Sequence, residues 1–327
     1  MGEGLVPSPP EWWLPSAQTF ARQSAVLTRG AYGILSKAVD TSGNKSGFLI
    51  KHPREADEDC LDEFCELQMQ RAALYEAGIL KDFKHPNIVG LLDFHFDCDD
   101  WYLAFQGVSM TLHSALKAQQ EALPLETLRK YSKDLLLGLS ACAERGIVHR
   151  DVSSRNIFLC ECHGASQNAT LKLGDFEFAI DCCNNPRPDL NEVLEVGTLW
   201  YRAPELLLGN FRGAACLRTK ADCWSAGCII AEMAMLKALF PADSQIGLIF
   251  QIFSLVGTPT DKDHAARNWH FWSDEFPVWE DSQLEPIREE YPELGEAGIS
   301  LLRDLLVIDP KARSSAKNAC AHNFFKE

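Results

Sequence analysis

Three short stretches hold the side chains best suited to chemistry. His149-Arg150-Asp151-Val152-Ser153-Ser154-Arg155-Asn156 brings an imidazole, two guanidinium groups, a carboxylate and an amide into a single run. Gly174-Asp175-Phe176 adds a second carboxylate, and far upstream Lys51 ends the apolar run Phe48-Leu49-Ile50. Phosphoryl transfer asks for groups of this kind, because it depends on positioning and charge neutralisation more than on covalent help. The cysteines point elsewhere. There are twelve, but Cys160/Cys162 and Cys182/Cys183 lack the C-x-x-C spacing of a zinc site and read as free thiols.

Those residues need elements to hold them. Residues 1–20 combine Pro7, Pro9, Pro10 and Pro15 with Trp12 and Trp13 and read as an irregular arm. From about Ser24 to Ile50, short β-rich runs alternate with glycine turns such as Gly30-Ala31-Tyr32-Gly33. Residues 55–84 read as one or two helices with an acidic start, on the helical spacing of Leu61, Phe64, Cys65 and Gln68. Two strands follow near Val89–Phe96 and Trp101–Phe105, and from Leu112 onward the apolar periodicity is mostly helical. The boundary falls at about Gln106–Met110, giving an α+β chain with a strand-rich part over residues 21–108 and a helical part over residues 109–327.

Composition narrows the function classes. The 327 residues are 46% hydrophobic and 24% charged, ordinary values for a folded globular protein. A net charge of −15 argues against binding duplex nucleic acid or an anionic membrane through the overall field. The longest apolar stretch, near Ala226–Phe240, is interrupted by Glu232 and Lys237 and is too short to span a bilayer. The first residues lack the basic and apolar regions of a signal peptide, so an intracellular protein, cytoplasmic or nuclear, is expected.

Together with Ala203-Pro204-Glu205, the three stretches resemble the protein kinases, and the resemblance runs over residues 24–325. It implies a bilobal kinase fold, ATP and Mg²⁺ as cofactors, and a protein substrate. By resemblance, Lys51 binds the α/β-phosphates and pairs with Glu76, Asp151 orients the substrate hydroxyl and accepts its proton, and Asn156 and Asp175 ligate Mg²⁺. The nucleotide is expected against the glycine loop (Gly30, Gly33), Leu35, the roof residue Leu49, the gatekeeper Phe105, the hinge Gln106-Gly107-Val108 and the floor residue Phe158. Asp222-Cys223-Trp224-Ser225-Ala226-Gly227 resembles the family's buried helix start in the second lobe, and Arg313 matches the partner of Glu205. Gly197-Thr198-Leu199-Trp200-Tyr201-Arg202-Ala203-Pro204-Glu205-Leu206 resembles the substrate-binding segment of the branch containing cyclin-dependent and MAP kinases, and Ala238–Ser244 with Leu255–Pro259 is more closely similar to cyclin-dependent kinases. That branch implies Ser/Thr-Pro substrates, with Arg202 drawing off a backbone carbonyl, and a cyclin or other activating protein as partner.

The departures from that pattern are equally specific. Thr28 replaces the first loop glycine, Glu177 replaces the glycine after Asp175-Phe176, and Ser153 replaces a phosphate-contacting lysine that Arg155 is placed to stand in for. Leu49 and Phe158 crowd the adenine slot. Between Glu177 and Gly197 there is no Ser, Thr or Tyr; Val193 occupies the phosphoacceptor position, and the three arginines that receive the phosphate correspond to Arg150, Tyr75 and Ile180. Two readings follow. One is an active kinase that needs no activation-loop phosphorylation, with Glu192 or Glu195 pairing Arg150 instead. The other is a weak or inactive pseudokinase scaffold.

Overall fold

A computed structural model describes residues 20–30, 33–40, 46–53, 63–96, 101–160, 169–183, 197–209, 215–261 and 265–326. Residues 1–19 of the N-terminal arm, the acidic residues 55–62 and the positions Glu192, Val193 and Glu195 lie outside them. The chain divides into two compact units, Met1–Met110 and Thr111–Glu327.

The first unit is a sheet of β1 (Phe20–Arg29), β2 (Ile34–Asp40), β3 (Ser46–His52), β4 (Leu91–Phe96) and β5 (Trp101–Gln106), in the order β1-β2-β3-β5-β4, with all pairs antiparallel. β1 begins at Phe20, inside the span expected to be irregular. Register decides which side chains share a face. Leu35 pairs with Lys51, which pairs with Leu103, and Leu49 pairs with Phe105. Opposed residues point the same way and the period is two, so Leu35, Leu49, Lys51 and Phe105 share one face. Ala38, Ile50 and Ala104 take the other, packed with Phe48 and Tyr102.

Helix α1 (Glu63–Leu80) lies against β4 and β5. Its buried residues are Met69, Ala72, Ala73, Glu76, Ala77 and Leu80, the i, i+3, i+4, i+7 stripe of an inward helical face. A carboxylate in the middle of that stripe requires a cation, and Lys51 supplies it.

In the second unit the helices are α2 (Leu112–Ala118), α3 (Leu125–Glu144), α4 (Pro204–Leu207), α5 (Ala215–Met235), α6 (Gln245–Val256), α7 (Glu285–Glu290), α8 (Gly295–Leu305) and α9 (Ala316–Cys320). The core forms where α3 and α5 pack, and α3 buries Leu128, Tyr131, Leu135, Leu136 and Leu139 on one stripe. Asp222 lies two turns inside α5 rather than at its start; the residues from Ala215 extend the helix ahead of it. Four short strands then shape the loops. β6 (Ile147–Val148) pairs with β9 (Ile180–Asp181), and β7 (Ile157–Cys160) pairs with β8 (Thr170–Leu173). The loop 149–156 and the loop 174–179 are therefore each pinned at both ends by paired strands and run side by side. Among the described residues no helix is long and apolar enough to cross a membrane.

Candidate active site

The first unit carries one ion pair of chemical interest. Lys51 Nζ donates to Glu76 Oε2 at 2.7 Å, with both residues buried. Just before β2, a Cβ on Gly33 would stand 3.0 Å from the His52 carbonyl and 3.1 Å from the Trp101 ring, so a side chain there would have to push those neighbours back by a few tenths of an ångström. Gly30 N donates to Gly33 O at 2.8 Å. At the hinge, a Cβ on Gly107 would fall on the Gly47 carbonyl, so glycine is required there by close backbone approach. Gln106 N is bonded to Gly90 O at 2.9 Å and its side chain is exposed, with Val108 half-buried. Leu49 and Phe105, the roof and gatekeeper positions, are both buried.

The second unit builds the catalytic loop from the strand ends inward. Arg150 sits at φ 70° and Asp175 at φ 62°, conformations disfavoured for residues with a Cβ. Buried Asp222 holds the first of these, accepting from His149 N at 2.8 Å and Arg150 N at 3.0 Å. His149 Nδ1 accepts from Asp151 N at 3.3 Å, so the neutral ring carries its proton on Nε2 and donates it to Gly174 O at 3.0 Å. Phe176 packs edge-on to that ring at 4.6 Å. Gly174 N donates to Asn156 O at 3.0 Å. These contacts bring Asp151, Asn156 and Asp175 into one site.

Asp151 is held at both oxygens. Asn156 Nδ2 donates to its Oδ2 at 2.7 Å, and Thr198 donates to its Oδ1 from N at 2.8 Å and from Oγ1 at 3.1 Å. Burial pushes its carboxyl above the ordinary aspartate value, and the charge of Asp175 adds to that push against the hydrogen bonds. Because Asn156 spends its NH₂ on Asp151, its Oδ1 is the atom turned to other work. Arg155 is exposed, while Ser153 is 0% exposed with no hydrogen-bond partner for its Oγ. Ser153 therefore cannot substitute for a phosphate-contacting lysine, whereas Arg155 is accessible. Phe158 is buried in β7, Ile180 is buried in β9, and Glu177 is buried with an ordinary negative φ.

The segment expected to hold substrate, Gly197–Glu205, is the next layer. Gly197 sits at φ 85°, and a Cβ there would stand 2.7 Å from the Arg150 carbonyl. Arg202 Nη2 donates to the Gly197 carbonyl at 3.4 Å. Trp200 Nε1 donates to Ala242 O at 2.9 Å, and Arg313 forks onto Glu205 with two bonds of 2.7 Å. The sequence reading did not single out Tyr201, Glu232 or Ser154 for a role, yet they form a buried polar cluster beneath this segment; a polar residue between hydrophobic ones at Ala231-Glu232-Met233 was the available signal.

The protein kinase domain family matches residues 22–325. Cell division control protein 2 homolog 3 of Trypanosoma brucei brucei is 34% identical over 305 residues, covering 92% of this chain and 90% of the relative. Cyclin-dependent kinase 2 of Caenorhabditis elegans is 33% identical over 303 residues, covering 91% of this chain and 76% of the relative. Among solved structures, a chain of the yeast RNA Pol II CTD kinase CTDK-1 complex has the same fold, with a TM-score of 0.74 and 24% identity over 96% of this chain and 95% of its own.

Proposed function

The chain belongs to the protein kinase family, in its cyclin-dependent-kinase-like branch, and on that premise we propose that it transfers the γ-phosphate of ATP to Ser or Thr followed by Pro in protein substrates. The observation that carries this reading is the catalytic loop, where Asp151 is fixed between Asn156 and Thr198 of the substrate segment. In that position its carboxylate can orient a hydroxyl and take its proton.

Protein kinases use ATP and Mg²⁺. The residues here fit that pair. Asn156 Oδ1 and the Asp175 carboxylate are hard oxygen donors, and Mg²⁺ binds through one or two such ligands with substrate phosphates completing its shell. When bound, the ion neutralises charge on the phosphates. Lys51, held by Glu76, would bind the α/β-phosphates, and exposed Arg155 would stand near the γ-phosphate in place of the missing lysine. A cyclin or another activating protein is the partner this reading implies.

Proline preference follows from one carbonyl. Gly197, at positive φ, turns its C=O to Arg202, which leaves an ordinary residue after the phosphoacceptor with an unsatisfied N–H; proline has none. An orphaned donor costs roughly 1–3 kcal/mol, so Ser-Pro peptides should outpace matched Ser-Ala peptides by about 10–100-fold in kcat/KM. Arg202→Ala should narrow that ratio. Equal rates for the two peptides would overturn the preference.

The acceptor of an activating phosphate and two of its three receptors are absent together, since the segment between Glu177 and Gly197 has no hydroxyl side chain and Tyr75 and Ile180 stand where arginines would. Phosphatase treatment should therefore leave activity unchanged, and mass spectrometry should find no phosphate in residues 178–196. Loss of activity on phosphatase treatment would contradict this.

A further inference from the structure

The catalytic loop and the substrate segment meet at a second point beyond Asp151. Asp151 joins Thr198, and three residues further along each segment Ser154 Oγ lies 2.9 Å from Tyr201 OH. The separation is 47 residues in both pairs, so the two segments run in register, joined by two rungs. Glu232 of α5 stands behind the second rung. Ser154 Oγ donates to its Oε1 at 3.0 Å and Tyr201 OH donates to its Oε2 at 2.7 Å; each hydroxyl spends its one proton on the carboxylate, so the second rung is the bridge Ser154–Glu232–Tyr201 rather than a bond between the two hydroxyls. Ser154, Tyr201 and Glu232 are all buried. Two backbone bonds complete the frame: His113 N donates to Ser154 O at 2.9 Å, and Ser225 Oγ donates to Tyr201 O at 2.7 Å.

Burying a carboxylate and two hydroxyls is costly unless each is satisfied by well-directed partners. Burial holds the Glu232 carboxyl above its usual range despite the donors from Tyr201 and Ser154. An alanine would fill position 154 nearly as well. The hydroxyl supplies direction rather than volume, and what it directs is the spacing of the two segments. We propose that Ser154 is a positioning residue for phosphoryl transfer: through Tyr201 and Glu232 it fixes the distance between Asp151 and the peptide-bearing segment Gly197–Arg202. The proposal rests on the kinase reading above.

Ser154→Ala, Ser154→Thr, Tyr201→Phe and the Ser154→Ala/Tyr201→Phe pair test it in the full chain. Displacing reacting groups by about 1 Å costs up to about 100-fold. Ser154→Ala should accordingly lower kcat/KM for a Ser-Pro peptide by roughly 10-fold, leaving KM for ATP unchanged. Ser154→Thr should recover most of the loss, and the double variant should be no worse than the worse single one, because both remove the same rung. Amide exchange should quicken at residues 198–202 without a matching change in Tm. Wild-type values for Ser154→Ala in both peptide kinetics and amide exchange would overturn the proposal, as would additive losses in the double variant. If the wild-type protein transfers no phosphate, the kinase reading fails, and the exchange comparison still decides whether Ser154 ties the two segments.

Discussion

Asp151→Asn is expected to lower phosphoryl transfer from Mg-ATP to a Ser-Pro peptide by roughly 10²–10⁴-fold, the contribution of a positioned general base. The substitution keeps the shape and removes the charge. Thr198 can still donate to the remaining oxygen, from N at 2.8 Å and Oγ1 at 3.1 Å in the parent. On the other side the new NH₂ meets Asn156 Nδ2, which stood 2.7 Å from Oδ2. Two donors cannot share that contact, so the Asn156 amide must turn over and offer its oxygen to residue 151 instead of to a cation. The variant thus loses the proposed base outright and weakens one of the residues proposed to hold Mg²⁺. It should fold, because burial already disfavours the charged form of Asp151 and a neutral isostere relieves that cost. Transfer assays paired with thermal shifts on adding Mg-ATP separate the outcomes. Lost transfer with a smaller but present shift supports the assigned role, and undiminished transfer refutes it. A wild-type protein with neither transfer nor shift is the scaffold that Leu49, Phe158, Ser153 and Glu177 would favour.

What the sequence could reveal divides along a physical line. Lys51 and Glu76 were legible through resemblance; the structure supplies the reason, since the period of two along β3 sets Leu49 and Lys51 on one face and Glu76 lies in the buried stripe of Met69, Ala72, Ala73 and Ala77. The motif around Asp151, Asn156 and Asp175 was legible from spacing and resemblance, and the strand pairs that pin the two loops explain why that spacing brings the three together. Long-range polar contacts were not legible. Ser154 looks like any loop serine, and its bond to Glu232, 78 residues away, depends on how α5 packs beneath the loop. Ser153 shows the same limit from the other side. Its position suggests a phosphate contact, yet its side chain is wholly enclosed. Element ends also moved, since hydrogen bonding carries β1 back to Phe20 and starts α5 at Ala215, where apolar patterning gives no signal.

The Arg313–Glu205 pair was legible as a resemblance, but its energetic weight comes from the surroundings. Arg313 has 0% side-chain exposure and spends every donor group: Nη1 and Nη2 each bond Glu205 at 2.7 Å, Nε bonds Val307 O at 2.9 Å, and further bonds reach Lys220 O and Ile308 O. The guanidinium also lies 5.2 Å over the ring of Trp224, a cation–π contact strengthened by exclusion of water. Glu205 sits in α4 directly after the substrate segment, while Arg313 precedes α9, so the pair fastens the peptide platform to the far end of the chain. Removing one partner strands the other charge where water cannot reach it. Arg313→Ala should therefore cost about 3–5 kcal/mol of stability, read as a lower urea midpoint for the second unit. Arg313→Lys keeps the charge but not the fork, and its three donors cannot serve five acceptors, so it should recover only part of the loss. Replacing both partners with apolar residues of matching volume should do better than either single change, because no charge is left buried alone. If Arg313→Ala instead unfolds within about 1 kcal/mol of the parent, the range typical of an exposed pair, the enclosed fork is not what holds the platform, and the fixed geometry of Gly197–Arg202 must come from the rungs at Thr198 and Tyr201 and the bonds of Trp200 and Ser225.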